Sequence, residues 1–308
     1  MKLVIAGGSG FLGRALIRRL LELRHSVTIL SRNPDAARGR LPSEVSVVSW
    51  DARSVGSWKD QIDGADAVIN LTGESIGNKR WTKRQKEILL SSRIDSTKAI
   101  VEAITSARQR PKTLINQSAV GYYGNVPDGD VTEDHPAGSD FLALVATQWE
   151  AEALKAEELG VRVVMPRTGV VLSQDGGALP RMLLPFRLFV GGPLGSGRQW
   201  FPWIHLTDEV AAFEFILQNS SLKGPVNLTA PESATMKQFC AILGRVMHRP
   251  SWAPVPGFVL KIILGEMAGP LLLGGQKVVP KKLLQAGYTF HYPNLEEALR
   301  NILTSGEG

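Results

Sequence analysis

Cysteine is almost missing: Cys240 is the one thiol among 308 residues, so the chain can form no internal disulfide and a reducing compartment is expected. Long apolar runs are missing too. The most apolar late stretch, Phe258 to Leu273, is broken by Lys261, Glu266 and Pro270 and is too short between charges to span a bilayer, so it reads as buried helix or interface. Only Met1 and Lys2 precede the first apolar run, so no leader peptide is expected. A cytoplasmic protein fits, or a plastid stromal one if the source is a plant and a transit peptide has been removed. His25, His135, His205, His248 and His291 show no ligand spacing, and no metal site is expected. Aromatics make up 7% of the chain, and no aromatic-rich basic motif accompanies the formal charge of +6. Nucleic acid is therefore disfavoured as a partner. Part of the basic cluster Arg14, Arg18, Arg19, Arg24, Arg32, Arg38 and Arg40 is accounted for by an anionic dinucleotide.

That dinucleotide is suggested by the stretch Gly7-Gly8-Ser9-Gly10-Phe11-Leu12-Gly13. It follows the apolar run Leu3-Val4-Ile5-Ala6 and precedes a helix whose Leu12, Ala15, Leu16, Leu20 and Leu23 share one face. Glycine lets the turn adopt backbone angles that a Cβ obstructs, lets a pyrophosphate meet bare backbone, and lets the helix start close to the strand. The first-turn N–H groups and the positive helix end then face the phosphates. The bland alternative is a tight strand-to-helix turn with no ligand. A second strand, Ser26 to Leu30, ends in Ser31-Arg32-Asn33. NAD sites usually carry an acid at that tip for the ribose hydroxyl, whereas a hydroxyl with an arginine suits the 2′-phosphate of NADP(H). The alternative for Arg32 is a plain surface residue.

Strands follow at Val45–Ser49, with Asp51 placed to meet an adenine amino group, at Ala65–Leu71, leading into Thr72-Gly73, and at Thr113–Ser118. Helices are expected from Lys83 to about Ala107 and from Phe141 to Leu159, and a strand at Val161–Met165 leads to Pro166-Arg167-Thr168-Gly169. Alternation of strands and helices predicts an α/β fold with a doubly wound parallel sheet of the NAD(P)-binding Rossmann type, and a ligand at the carboxyl ends of the strands. Gly73, Ser75 and Gly77 also match the G-x-S-x-G hydrolase elbow, but an elbow needs a helix directly after the serine and the next residues read as loop. Residues 173–203 change to glycine, proline and large apolar types and read as a lid, not sheet. Thr207 or Asp208 is expected to cap a helix through Leu217, and Pro225–Leu228 reads as a late strand. This divides the chain into a cofactor domain, 1–228, and a small, mainly helical C-terminal annex, 229–308.

Together these features resemble an extended short-chain dehydrogenase/reductase. More narrowly, Arg80-Trp81, Ser92-Arg93, Gln148-Trp149-Glu150, Leu184-Pro185-Phe186 and Gln276-Lys277-Val278-Val279-Pro280 are similar to its atypical "epimerase family protein" branch. That branch is described as nucleoside-diphosphate sugar epimerase-like, with some members described as SulA-like cell-division inhibitors or chloroplast-division factors. The resemblance implies NADP(H) contacts from Gly7 through Gly13, Ser31, Arg32, Asp51, Leu71, Thr72, Gly73, Arg93, Ser118, Arg167 and Thr168. It also implies a serine, Ser118, that holds the substrate oxygen, beside a tyrosine acid with a lysine four residues on. Alignment puts Leu144 and Gln148 at those two positions and Arg93 at the usual asparagine. Leucine has no proton to give and glutamine no charge to offer. Tyr122, Tyr123 and His205 are the candidate substitutes, Glu150 and Arg167 a candidate buried pair. Two functions follow: an oxidoreductase or epimerase-like enzyme acting on a small molecule with a rearranged acid/base set, or a non-catalytic NADP(H) sensor with a second copy or a division protein as partner.

Overall fold

The computed structural model describes residues 1–304; the last four residues of the expected annex lie outside them. The chain opens with β1 (Lys2–Ala6), α1 (Phe11–Glu22), β2 (Ser26–Ser31), α2 (Pro34–Arg38), β3 (Ser46–Ser49) and β4 (Ala67–Asn70). It continues with α3 (Lys83–Ser106), β5 (Thr113–Asn116), β6 (Ser118–Ala119), β7 (Val126–Val131), α4 (Phe141–Leu154), β8 (Arg162–Thr168) and β9 (Val170–Leu172). The main sheet runs β12-β8-β5-β4-β1-β2-β3, where β12 is Gly224–Leu228 and β6 adds beside β8. All its pairings are parallel.

A parallel sheet needs cover on both faces, so its strands must be apolar throughout. Period-two alternation then assigns the faces. Leu3, Ile5, Ile29, Ile69, Ile115 and Val164 pack with Leu16, Ile17 and Leu20 of α1 and with Ala212, Phe213 and Ile216 of α6 (Leu206–Gln218), the helix that follows α5 (Leu179–Arg187) in the chain. Val4, Leu30, Val68, Leu114 and Val163 pack on Ala99, Ile100, Ala103 and Ile104 of α3 and Ala153 of α4. The long helix α3 ends at Ser106 and α4 at Leu154, with a 3₁₀ turn at Glu157–Leu159 completing the second expected helical segment.

Residues 173–203, expected as a lid, hold a helix and part of a second core. The Leu179, Leu183 and Phe186 stripe of α5 joins a core with Phe201 and Trp203, on the short strands β10 (Trp200–Phe201) and β11 (Trp203–His205). That core also takes Phe239 and Leu243 of α7 (Met236–Met247), which follows β13 (Ala234–Thr235), and Leu299 of α10 (Leu295–Thr304). Between α7 and α10 come α8 (Gly257–Leu264), β14 (Gln276–Val278) and α9 (Lys281–Gln285). Strand β10 pairs with β13, so this part of the lid is sheet, contrary to expectation. Strand β7, whose Val-Pro-Asp-Gly-Asp-Val sequence reads as a turn, pairs with β14. Among the described residues no helix is long and apolar enough to cross a membrane.

The turn after β1 shows why two glycines cannot change. Gly7 sits at φ +79°, and a Cβ there would come within 2.8 Å of the Leu71 carbonyl. A Cβ on Gly13 would lie 2.5 Å from the Gly8 carbonyl oxygen, backbone against backbone. We expect Gly13→Ala to push α1 off the sheet and lower the melting temperature by about 2–5 °C, because overpacking a close contact typically costs about 1–3 kcal/mol. A variant that melts with the wild type would contradict this placement.

Candidate functional site

An open cleft of about 620 Å³ lies at the carboxyl ends of β1, β2 and β4. Its walls include Gly7, Ser9 and Gly10 of the glycine turn, Ser31 and Arg32 at the tip of β2, Asp51, and Leu71, Thr72 and Gly73 after β4. Helix α1 begins at Gly10 with no side-chain cap, which leaves its first-turn amides for a ligand. Arg32 is exposed, whereas Ser31 is buried, its Oγ accepting from the Asn33 N–H at 3.2 Å. Asp51 Oδ1 accepts from the amides of Arg53 and Ser54, and the Ser54 hydroxyl bonds Oδ2. Led by the Ser54 hydroxyl, these bonds hold the Asp51 carboxyl down at about 2, so it is ionised at neutral pH. Asn33, Arg40, Arg53, Glu74 and Ser92 also line the cleft, although none was expected there: Asn33 and Ser92 lie next to expected contacts, and Arg53 and Glu74 carried no signal. Arg40 belonged to the basic cluster, which was its one signal.

The polar ends of the strands position the next loop. Asn70 Nδ2 donates to Thr97 Oγ1 and Asn116 Oδ1 at 3.0 and 2.7 Å, while Asn70 Oδ1 accepts from the Thr72 amide at 3.2 Å. Arg93, expected as a cofactor contact, instead donates to the Leu89 and Glu74 carbonyls at 2.9 and 3.1 Å. Its guanidinium packs against Gly73, where a Cβ would meet Cζ at 2.9 Å. Burial holds its pKa down at about 10. Arg93 therefore acts on the cleft through the Gly73–Glu74 backbone. Gly8 and Gly13 likewise serve strand–helix contact rather than the cleft wall.

A second cluster lies at the end of β6 and β8. Arg167 donates through Nε and Nη2 to the two oxygens of Glu150, at 2.8 and 2.7 Å, and both side chains are buried. Burial opposes the charge on Arg167, but the Glu150 bonds outweigh it and hold the guanidinium protonated above its usual range. Ser118 donates its hydroxyl to Glu150 Oε1 at 2.6 Å. Ser118, expected to hold a substrate oxygen, and Arg167, expected to meet a cofactor, thus both bond Glu150 in this structure. Tyr123 is also unavailable, since its hydroxyl donates to Asn227 Oδ1 and accepts from Arg167, and burial pushes its pKa up to about 12. Tyr122 differs. The Arg167 guanidinium lies 3.4 Å from its ring centre, and among the described residues no hydrogen bond engages its hydroxyl.

Thr168 and His205 stand apart from both clusters. Thr168 Oγ1 accepts from Gln117 Nε2 and donates to Glu209 Oε1, both at 2.7 Å. Glu209 is fully buried, and burial pushes its pKa up to about 8. Sequence reading missed it. His205, rather than Thr207 or Asp208, caps α6: its Nδ1 accepts the Thr207 amide at 3.0 Å. The ring stacks on Tyr292 at 4.0 Å, Asn301 lies beside it, and burial pulls its pKa down to about 4. The neutral ring thus spends Nδ1 on the helix cap and carries its proton on Nε2, which is buried. The residues from Gly73 to Gly77 run into a loop and α3 starts only at Lys83, so no nucleophile elbow forms.

A sequence model of the NAD dependent epimerase/dehydratase family matches residues 3–228. The chain belongs to that family. A second model, Domain of unknown function (DUF1731), matches residues 255–302. The chain is 42% identical over 305 residues to "Epimerase family protein SDR39U1 homolog, chloroplastic" of Arabidopsis thaliana, covering 98% of this chain and 87% of that one. It is 41% identical over 304 residues to "Epimerase family protein YfhF" of Bacillus subtilis, covering 98% of each. The crystal structure of human epimerase family protein SDR39U1 with NADPH superposes with a TM-score of 0.88 at 36% identity, covering 99% of both chains. UDP-glucuronic acid 4-epimerase from Bacillus cereus, at 17% identity and a TM-score of 0.79, shares the fold.

Two outcomes follow for this epimerase-family chain. Glu150→Ala strands a buried guanidinium and should destabilise by about 3–5 kcal/mol, whereas Ser118→Ala should cost about 1 kcal/mol; urea unfolding compares them, and equal effects would contradict the assigned pair. Glu209 ionises near 4.5 when unfolded and near 8 when folded. Between those values the unfolded chain sheds a proton that the folded chain keeps, so stability falls as pH rises through that window. Glu209→Gln should flatten this part of the stability–pH curve, and an unchanged slope would show that Glu209 is not the source.

Proposed function

We propose that this family member binds NADP(H) and acts as an oxidoreductase or epimerase-like enzyme in which Tyr122 supplies the proton-transferring group that α4 lacks. The observation that carries the reading is the contrast among the candidates: the hydroxyls of Ser118 and Tyr123 are committed to buried bonds, His205 is a buried helix cap, and Tyr122, its ring against Arg167, has no hydrogen bond to its hydroxyl among the described residues. The cofactor part is supported by a glycine turn with no room for a Cβ at Gly7, an uncapped helix start and a 620 Å³ cleft ending at Arg32. It is supported also by the NADPH in the human relative. In this reading Arg32, helped by Arg40 and Arg53, holds the 2′-phosphate, the α1 amides hold the pyrophosphate, and Asp51 accepts from the adenine amino group. When bound, NADPH supplies a hydride. Tyr122 supplies the proton to the oxygen of the acceptor, and the Arg93-braced loop with the lid helix excludes water. Residues 1–228 form the cofactor domain and the annex begins at 229. With Cys240 buried and unpaired, a reducing compartment such as the cytoplasm suits it.

The second reading, a nucleotide sensor with a protein partner such as a division factor, draws on Leu144 and Gln148, which can neither give a proton nor steady a phenolate. Two measurements separate the readings. Calorimetry should give NADPH an advantage over NADH of about one to two decades, lost in Arg32→Ala, since one charge-assisted contact is worth about 1.5–3 kcal/mol. NADPH oxidation against aldehydes, ketones, quinones and nucleotide sugars should reveal turnover that drops by on the order of 10²- to 10⁴-fold in Tyr122→Phe. Turnover equal to wild type in that variant would remove Tyr122 from the chemistry. No turnover, together with cofactor-dependent capture of a protein, would favour the sensor.

A further inference from the structure

Two short helices turn large apolar side chains toward solvent on either side of one loop. On the lid helix α5, Leu184 shares a face with Leu188, the C-cap residue whose amide bonds the Leu184 carbonyl at 3.1 Å; they are 56% and 63% exposed, although Leu179, Leu183 and Phe186 of the helix are packed. On the annex helix α8, Phe258 and Ile262 share a face at 67% and 70% exposure. Residues four apart align on a helix, so each pair forms a stripe. Between the helices runs the loop from Glu74, which lines the cofactor cleft, to Trp81, whose indole N–H closes on the Ile76 carbonyl at 2.9 Å. Arg181 of α5 bonds this loop at the Gly77 carbonyl and Asn78 Oδ1, both at 2.8 Å. Arg80 of the loop reaches the Ile262 carbonyl of α8 at 3.4 Å. Both stripes are thus anchored to the segment that leads out of the cleft.

Charge narrows what covers them. Arg80 and Arg181 make these bonds to neutral acceptors, and among the described residues neither forms an ion pair. Two uncompensated guanidinium groups beside apolar stripes complement an anionic amphiphile. We infer that the α5 and α8 stripes take the aliphatic chain of an anionic, long-chain substrate that carries a separate aldehyde or ketone carbonyl, with Arg181 and Arg80 meeting its charge. This deepens the enzymatic reading and rests on it. The step balances as reduction of that carbonyl to an alcohol: NADPH gives two electrons with the hydride to carbon and is oxidised to NADP⁺, Tyr122 gives the proton to oxygen, and water restores that proton.

Binding tests the inference without turnover. Calorimetry with octanoate, decanoate and dodecanoate on the full chain should show affinity rising by about tenfold for every two methylenes. Leu184→Glu and Ile262→Glu should each weaken dodecanoate at least tenfold. Arg181→Ala should weaken dodecanoate while leaving dodecanol unchanged, and Leu284→Glu, an exposed apolar site on α9, should change nothing. NADPH affinity should stay constant throughout, which separates this inference from the cofactor assignment. Three results would overturn it: no rise with chain length, full affinity in both stripe variants, or a wild-type dimer in sedimentation that those variants convert to monomer. Normal NADPH-dependent turnover of short aldehydes with no dodecanoate binding would sink the substrate class and leave the proposed chemistry standing.

Discussion

The buried pair of Arg167 and Glu150 is the interaction on which the packing at the ends of β6 and β8 depends. Removing two charges from water is costly, and only the two-pronged geometry at 2.7 and 2.8 Å offsets it. Four elements meet at this pair: β8 through Arg167, α4 through Glu150, β6 through Ser118, and β12 through the Tyr123–Asn227 bond. Tyr122 inherits its place from the same guanidinium. A planar cation can bind a carboxylate edge-on and an aromatic ring face-on at once, which a lysine cannot.

The cleft and the buried cluster differ in construction. The cleft framed by the glycine turn and the β2 tip is open and presents backbone amides, which suits a ligand that is always the same. The cluster at β6 and β8 is packed, and its polar groups bond one another. Fixed donors and ions in a dry setting are how proteins prepare for charge that appears only during reaction. Glu209, neutral beneath Thr168, extends that buried polar layer toward α6.

The sequence was most legible where physics is local. Val, Ile and Leu runs of four to six residues, glycines at one turn and an arginine at one strand tip announced the sheet, its ligand edge and its order of elements. It was least legible where partners come from afar. Ser118 sits at a strand end that invites a substrate role, yet its hydroxyl goes to Glu150, 32 residues on. His205 precedes a helix that Thr207 or Asp208 could equally have capped, and burial against Tyr292 decided the matter. Strand β7 was hidden because Pro127 and Gly129 spell a turn, and only pairing with β14 makes it extended. Arg93 was expected at the cleft because alignment puts it at the usual asparagine; in the structure its longer side chain reaches the Glu74 carbonyl.

The claim that matters most is that the hydroxyl of Tyr122 faces the reacting carbon when the cofactor is bound. A crystal structure of the chain with NADPH measures this directly. The account predicts the pyrophosphate against the first turn of α1 and the Tyr122 hydroxyl within roughly 5 Å of nicotinamide C4, close enough to hydrogen-bond an acceptor oxygen there. A nicotinamide ring held away from Tyr122, with Arg167 or another packed side chain between them, would contradict it.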